Sequence, residues 1–123
     1  MTSPTPPLVE CERTQACLAV SDLAAAIEFY VTKLGFRFGF TFGEPATFAG
    51  LNLGKVGIFL KKGAPAPSAG AVFFTVGDAD ALYAFHRANG VEVVEEIGDR
   101  EFGMRDYVVK DLYGYRLIFG HDI

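Results

Sequence analysis

The apolar positions of this chain switch between two periods, one strand-like and one helix-like. From Thr14 to Ser21 they alternate (Ala16, Leu18, Val20), which predicts a strand. Asp22 stands where an N-cap belongs, and Leu23, Ile27, Tyr30 and Leu34 recur at steps of three and four, predicting a helix over 23–34. Gly35 follows at the position that favours a left-handed residue and ends it. Strands are expected at 36–42, 47–53 and 55–61, broken by Gly43-Glu44-Pro45 and by Gly54. A Gly/Pro/Ser-rich linker fills 62–70, and then the pattern restarts. A strand over 71–76, a cap at Asp78, a helix over 79–89 and a stop at Gly90 are followed by strands at 91–97, 104–110 and 115–119. Gly98-Asp99 reads as a hairpin turn, and Asp111-Leu112-Tyr113-Gly114 as a second turn.

The restart is a repeat. Val20-Ser21-Asp22 returns ~56 residues on as Val76-Gly77-Asp78, Ile27 as Tyr83 and Phe29 as Phe85, with the helix-ending Gly35 answered by Gly90. The fold class expected is therefore α+β. Two βαβββ modules, about 14–61 and 71–119, make a single domain over 14–123, and a Pro-rich arm over 1–13 precedes it.

Composition narrows the function classes. Half of the 123 residues are apolar and 21% are charged, a globular balance rather than a disordered one. The net charge of −4 argues against a nucleic-acid partner, which needs a basic surface. No apolar run reaches the roughly 18 residues of a membrane span, and the start has neither the basic nor the apolar region of a signal peptide. Cytoplasm is the expected location. Cys11 and Cys17, in an extended segment, would lie about 20 Å apart at ~3.3 Å per residue, too far for a disulfide, and both are expected as thiols. Phenylalanine is the unusual count: 12 Phe and 5 Tyr against no Trp. Phe36, Phe38, Phe40 and Phe42 alternate, predicting a strand with one aromatic face, and more rings are present than one small core can cover.

Val20-Ser21-Asp22-Leu23 with Glu28-Phe29-Tyr30 and Leu34-Gly35-Phe36 resembles the opening module of the vicinal oxygen chelate superfamily, which contains glyoxalase I, extradiol dioxygenases and bleomycin-resistance proteins. Asp80-Ala81-Leu82-Tyr83, Asn89-Gly90-Val91, Phe102-Gly103-Met104-Arg105 and the turn from Asp111 to Gly114 extend the likeness over residues 14–119. Leu112 departs from it, since the family turn usually has Pro there. The resemblance implies that each module's strands curl into half of a barrel-like cup with the helices outside. Strand parity then points Leu18, Val20, Ile58, Leu60, Val72, Phe74, Val76, Leu117 and Phe119 toward the helices. Gln15, Cys17, Phe59, Lys61, Ala71, Phe73, Thr75, Arg116 and Ile118 would face the cup.

Metalloenzymes of that superfamily place His, Gln or Glu at four cup positions, which correspond here to Gln15, Phe59, Ala71 and Ile118. Gln15 carries the one donor, and a lone amide oxygen does not hold a divalent ion against water. No metal and no cofactor are expected. His86 reads as a surface residue of the second helix, and His121, beside Asp122, as part of a disordered tail. Cys17 faces the cup without an evident base, and Glu95 and Glu96 point to opposite faces of a strand, so no catalytic set assembles.

Within the superfamily the similarity is nearest to the bleomycin-resistance group, through Ala26-Ile27-Glu28-Phe29-Tyr30, Phe48-Ala49-Gly50 with Val56-Gly57-Ile58-Phe59, and Glu96-Ile97-Gly98 leading to Phe102-Gly103. Those are antibiotic-resistance proteins that sequester a drug unaltered in clefts between two chains. The resemblance implies a homodimer and a small aromatic or amphipathic ligand, bound by Phe40, Phe48, Phe59, Lys61, Phe73, Phe102 and Arg116. Lys61 and Arg116 favour an anionic ligand, or else pair with Glu44, Glu95 or Glu101. The alternative function is a divalent-metal lyase or dioxygenase of the same superfamily, and a ligand-free structural or regulatory domain is a third.

Overall fold

The structure is a computed structural model and describes residues 4–123. Residues 4–15 form neither helix nor strand. Two βαβββ modules follow in order. The first holds β1 (Ala16–Val20), α1 (Leu23–Glu28, continued as a wider helical segment Phe29–Lys33), β2 (Arg37–Phe42), β3 (Phe48–Leu53) and β4 (Val56–Lys62). The second holds β5 (Ala71–Thr75), α2 (Ala79–Ala88), β6 (Glu92–Asp99), β7 (Met104–Lys110) and β8 (Arg116–Asp122). Each makes one four-stranded mixed sheet, in the orders β1-β4-β3-β2 and β5-β8-β7-β6. The first strand pairs in parallel with the last and the remaining pairs are antiparallel. This is the α+β repeat that the pattern predicts.

Both helices start on the expected caps. The Asp22 carboxylate accepts from the Ala25 N–H, and Asp78 from Ala81, each at 3.0 Å. The second half of α1 departs from the expected α-helix: the Leu34 N–H reaches back five residues to the Phe29 carbonyl, which widens the turn. Buried positions on this helix run Leu23, Ala26, Tyr30, Leu34, so Ala26 rather than Ile27 fills the core at the second step. Gly35 then stands at φ +88°, and a β-carbon there would lie 3.1 Å from the Phe85 ring of the other module. The positive φ calls for glycine, and a β-carbon would in addition press on the Phe85 ring.

One core serves both modules and lies on the helix side of the sheets. It joins Val20, Ile58 and Leu60 of the first to Phe74, Leu117 and Phe119 of the second, all buried, with Leu18, Val72 and Val76 packed at its margin. The helix-facing parity holds throughout. Polar ties reinforce the junction. The Tyr30 hydroxyl donates to Asp111 at 2.6 Å, while the other Asp111 oxygen accepts from the Tyr113 and Tyr115 N–H groups. The 111–114 turn therefore forms without proline, leaving Leu112 exposed.

Four expectations are corrected. His86 is fully buried, not on the surface. Its Nε2–H donates to the Leu34 carbonyl and its Nδ1 accepts from the Tyr107 hydroxyl, both at 2.8 Å, because α2 packs against the first module as well as its own sheet. Burial pushes its pKa below the ordinary 6.5. His121 is no tail residue: β8 runs on to Asp122 because Met104 and Arg105 pair with it, and His121 Nδ1 accepts from the Ala79 N–H at 2.8 Å. Gly98 and Asp99 lie inside β6, pairing with Asp106 and Arg105, and the turn falls over 100–103. The run of phenylalanines does not share one face. Phe38 pairs with Leu51 and Phe40 with Gly50, so a bulge at Gly39 turns Phe40 and Phe42 away from the side of Phe38.

Candidate functional site

The sheet faces turned away from the helices are uncovered by the rest of the chain. Gln15, Phe59 and Ile118 are half-buried there, and Cys17, Lys61, Ala71, Phe73, Thr75 and Arg116 are exposed. On the first sheet the strand registers arrange this concave face in rows. Phe42, Phe48 and Lys61 align with Ala19. The next row is Phe40, Gly50, Phe59 and Cys17, and the third is Arg37, Asn52 and Gly57, beside which Gln15 lies.

The middle row explains how the rings assemble. Gly50 contributes no side chain, and a β-carbon built there would fall inside the Phe40 ring. Phe40 therefore lies over the strand toward its neighbours. Phe40, Phe48 and Phe59 form a cluster with centroid separations of 6.2, 6.3 and 5.1 Å, within the range in which aromatic rings attract one another. Phe40 remains 47% exposed and Phe42 72%. A cluster of rings that stay wet on a concave sheet offers an apolar molecule a surface to cover.

Four of the expected ligand-binding residues, Phe40, Phe48, Phe59 and Lys61, thus share the first sheet's concave face. Phe73 and Arg116 lie on the concave face of the second sheet, where Phe73 pairs with Ile118 and Arg116 with Ala71. Arg116 also lines a hollow of about 450 Å³ with Cys17, Ala19 and Tyr115, between β1 and β5. Phe102 occupies the β6–β7 turn and is 69% exposed. Among the described residues neither Lys61 nor Arg116 enters an ion pair; the pairs that form are Arg100–Asp106, Arg105 with Asp80 and Asp99, and Lys110–Glu92. Sequence reasoning missed Arg37, Phe42 and Gly50. Glycine inside a strand is a signal for close approach or a bulge, and Gly39 and Gly50 are that signal here.

The four positions corresponding to the superfamily's metal ligands do not fit a divalent ion. Gln15 lies beside Gly57, Phe59 beside Cys17, Ala71 beside Arg116 and Ile118 beside Phe73. Beside the Gln15 amide the row pairing offers no carboxylate or imidazole to complete a set. Among the described residues no three His, Cys, Asp or Glu side chains come together as metal ligands would. Cys11 and Cys17 are both free and exposed. Among the described residues no helix is long and apolar enough to cross a membrane.

Similar folds are known. TioX from Micromonospora sp. ML1 superposes with a TM-score of 0.76 at 25% identity, covering 90% of this chain and 100% of that one. The bleomycin-binding protein of bleomycin-producing Streptomyces verticillus, solved with copper(II)-bleomycin, gives 0.73 at 22% identity, covering 91% and 97%. FosX, a fosfomycin resistance protein of Listeria monocytogenes, gives 0.74 at 14% identity, covering 94% and 96%. No curated protein sequence matches the chain. The family model described as Glyoxalase/Bleomycin resistance protein/Dioxygenase superfamily matches residues 13–119, and with that match, the paired βαβββ modules and their concave sheets, the chain belongs to this superfamily.

Proposed function

We propose that this protein is a metal-free binding protein of the bleomycin-resistance type, sequestering a small aromatic or amphipathic molecule. One observation carries the reading: Phe40, Phe48 and Phe59 cluster, partly exposed, on the sheet face turned away from the helices, and Phe59 of that cluster stands at one of the four positions that correspond to the superfamily's metal ligands. Burying a ring against a ligand contributes roughly 1.5–3 kcal/mol. Three such contacts, less the cost of association, support affinity in the micromolar range or better. The named ligand of the Streptomyces verticillus neighbour is a small molecule held on the same fold.

The cleft is completed by a second copy. Phe40 and Phe42 lie exposed side by side on the first sheet, and Phe38, Phe73 and Phe102 are exposed elsewhere on the chain, apolar surface that a second copy would cover. β2 and β6 end their sheets without partners. A two-fold dimer covers both and adds Phe73, Phe102 and Arg116 to the site. The free thiols suit the cytoplasm. A thermal-shift screen of drugs and aromatic acids tests the reading, since a true ligand raises the melting temperature by mass action. Stabilisation by several related aromatic compounds is expected. Stabilisation by divalent metals alone, with one metal retained per chain, would replace it with a metal-dependent lyase or dioxygenase.

A further inference from the structure

The two concave faces differ in charge. Register places Arg37 and Lys61 on the first, together with the amides of Gln15 and Asn52, and no acidic residue falls in its rows. The second face carries Glu92, Glu95, Asp106 and Asp122 beside Lys110 and Arg116. Among the described residues the cations of the first face have no carboxylate partner. Lys61 stands directly across from Phe48 in the β3–β4 register and two residues from Phe59 on β4. Directly opposed β-carbons lie about 4.5–5.5 Å apart, so a ring seated on the Phe48–Phe59 pair lies within the span of the long Lys61 side chain.

Lys61 is exposed, so a neutral ligand seated there gains no attraction from the ammonium, and a cationic one meets repulsion. An anion supplies the missing countercharge through a charge-assisted hydrogen bond. We infer that the ligand is a planar aromatic anion, its ring against Phe40, Phe48 and Phe59 and its carboxylate, or an equivalent oxyanion, at Lys61. This rests on the small-molecule binding reading above and specifies its chemistry.

Three probes of one shape separate the two: 2-naphthoate, 2-naphthylmethanol and 2-naphthylmethylamine, titrated calorimetrically into the full-length protein at neutral pH and low salt. The naphthoate binds about tenfold or more tightly than the alcohol, and the amine weakest. Lys61→Gln, at an exposed position whose loss leaves the fold intact, brings the naphthoate to the level of the alcohol and leaves the alcohol unchanged. Equal binding of naphthoate and alcohol, or a preference that survives Lys61→Gln, overturns the anion assignment and leaves an aromatic binding site standing. Failure of all three probes to bind, or binding that Phe59→Ala does not weaken, overturns the site along with the assignment.

Discussion

His86 is a buried neutral imidazole that ties the two modules together, and acid should act on it. Its Nε2–H is committed to the Leu34 carbonyl and its Nδ1 to the Tyr107 hydroxyl, with no exposure to solvent. Desolvation holds its pKa below 6.5 in the fold, partly opposed by the bond to Leu34. The unfolded chain takes up a proton near 6.5 and the folded chain resists it. Stability from this group is therefore whole above that value and is lost as pH falls below it, until the folded pKa is reached. The limiting slope is about 1.4 kcal/mol per pH unit, or ~4–7 °C of melting temperature per unit for a chain of this size. His86→Gln keeps a donor for Leu34 and an acceptor for Tyr107 but does not titrate. The assay is thermal melting of both proteins from pH 8 to pH 5. The melting-temperature difference, wild type minus variant, stays level above pH 7 and shrinks or reverses toward pH 5. A difference that holds constant across the range would refute the reasoning.

Two further substitutions probe the candidate site. Phe59→Ala removes one ring contact from the cluster, so ligand affinity falls by roughly 10- to 100-fold. Because Phe59 is half-buried outside the core, the melting temperature and the association state change little; sedimentation and melting curves showing loss of the proposed dimer and a lower melting temperature instead assign the ring to packing. Gly50→Ala drives a β-carbon into the Phe40 ring, which swings away because a side chain yields more readily than backbone. Binding measured by titration weakens about tenfold while the melting temperature stays within a few degrees; unchanged binding would show that the position of Phe40 is immaterial.

Much of the fold was legible because its signals are local. Asp22 and Asp78 cap their helices as read, Gly35 ends the first, and alternation sorts the strand residues correctly between helix side and cup. The errors were non-local. His86 looks like a surface residue on an amphipathic helix until the first module's Leu34 is brought against it across the repeat. His121 seemed beyond the last strand because pairing with Arg105 does not show in the residues around it. The bulge at Gly39 breaks the strict alternation that Phe36 to Phe42 suggests. The same holds for the site. Phe40, Phe48, Phe59 and Lys61 were assigned to one cleft and do share a face, but the role of Gly50 in laying Phe40 flat emerges only from strand register. Phe73, Phe102 and Arg116 belong to the other sheet, so one chain alone does not gather the whole set.

The Phe40–Phe48–Phe59 face is read as binding its ligand without a metal. Purified protein incubated with manganese, nickel and zinc salts, then desalted and measured by elemental analysis, tests it most directly. No metal is retained, and naphthoate binding is indifferent to EDTA. One equivalent of tightly held metal per chain, with binding or turnover abolished by the chelator, contradicts it.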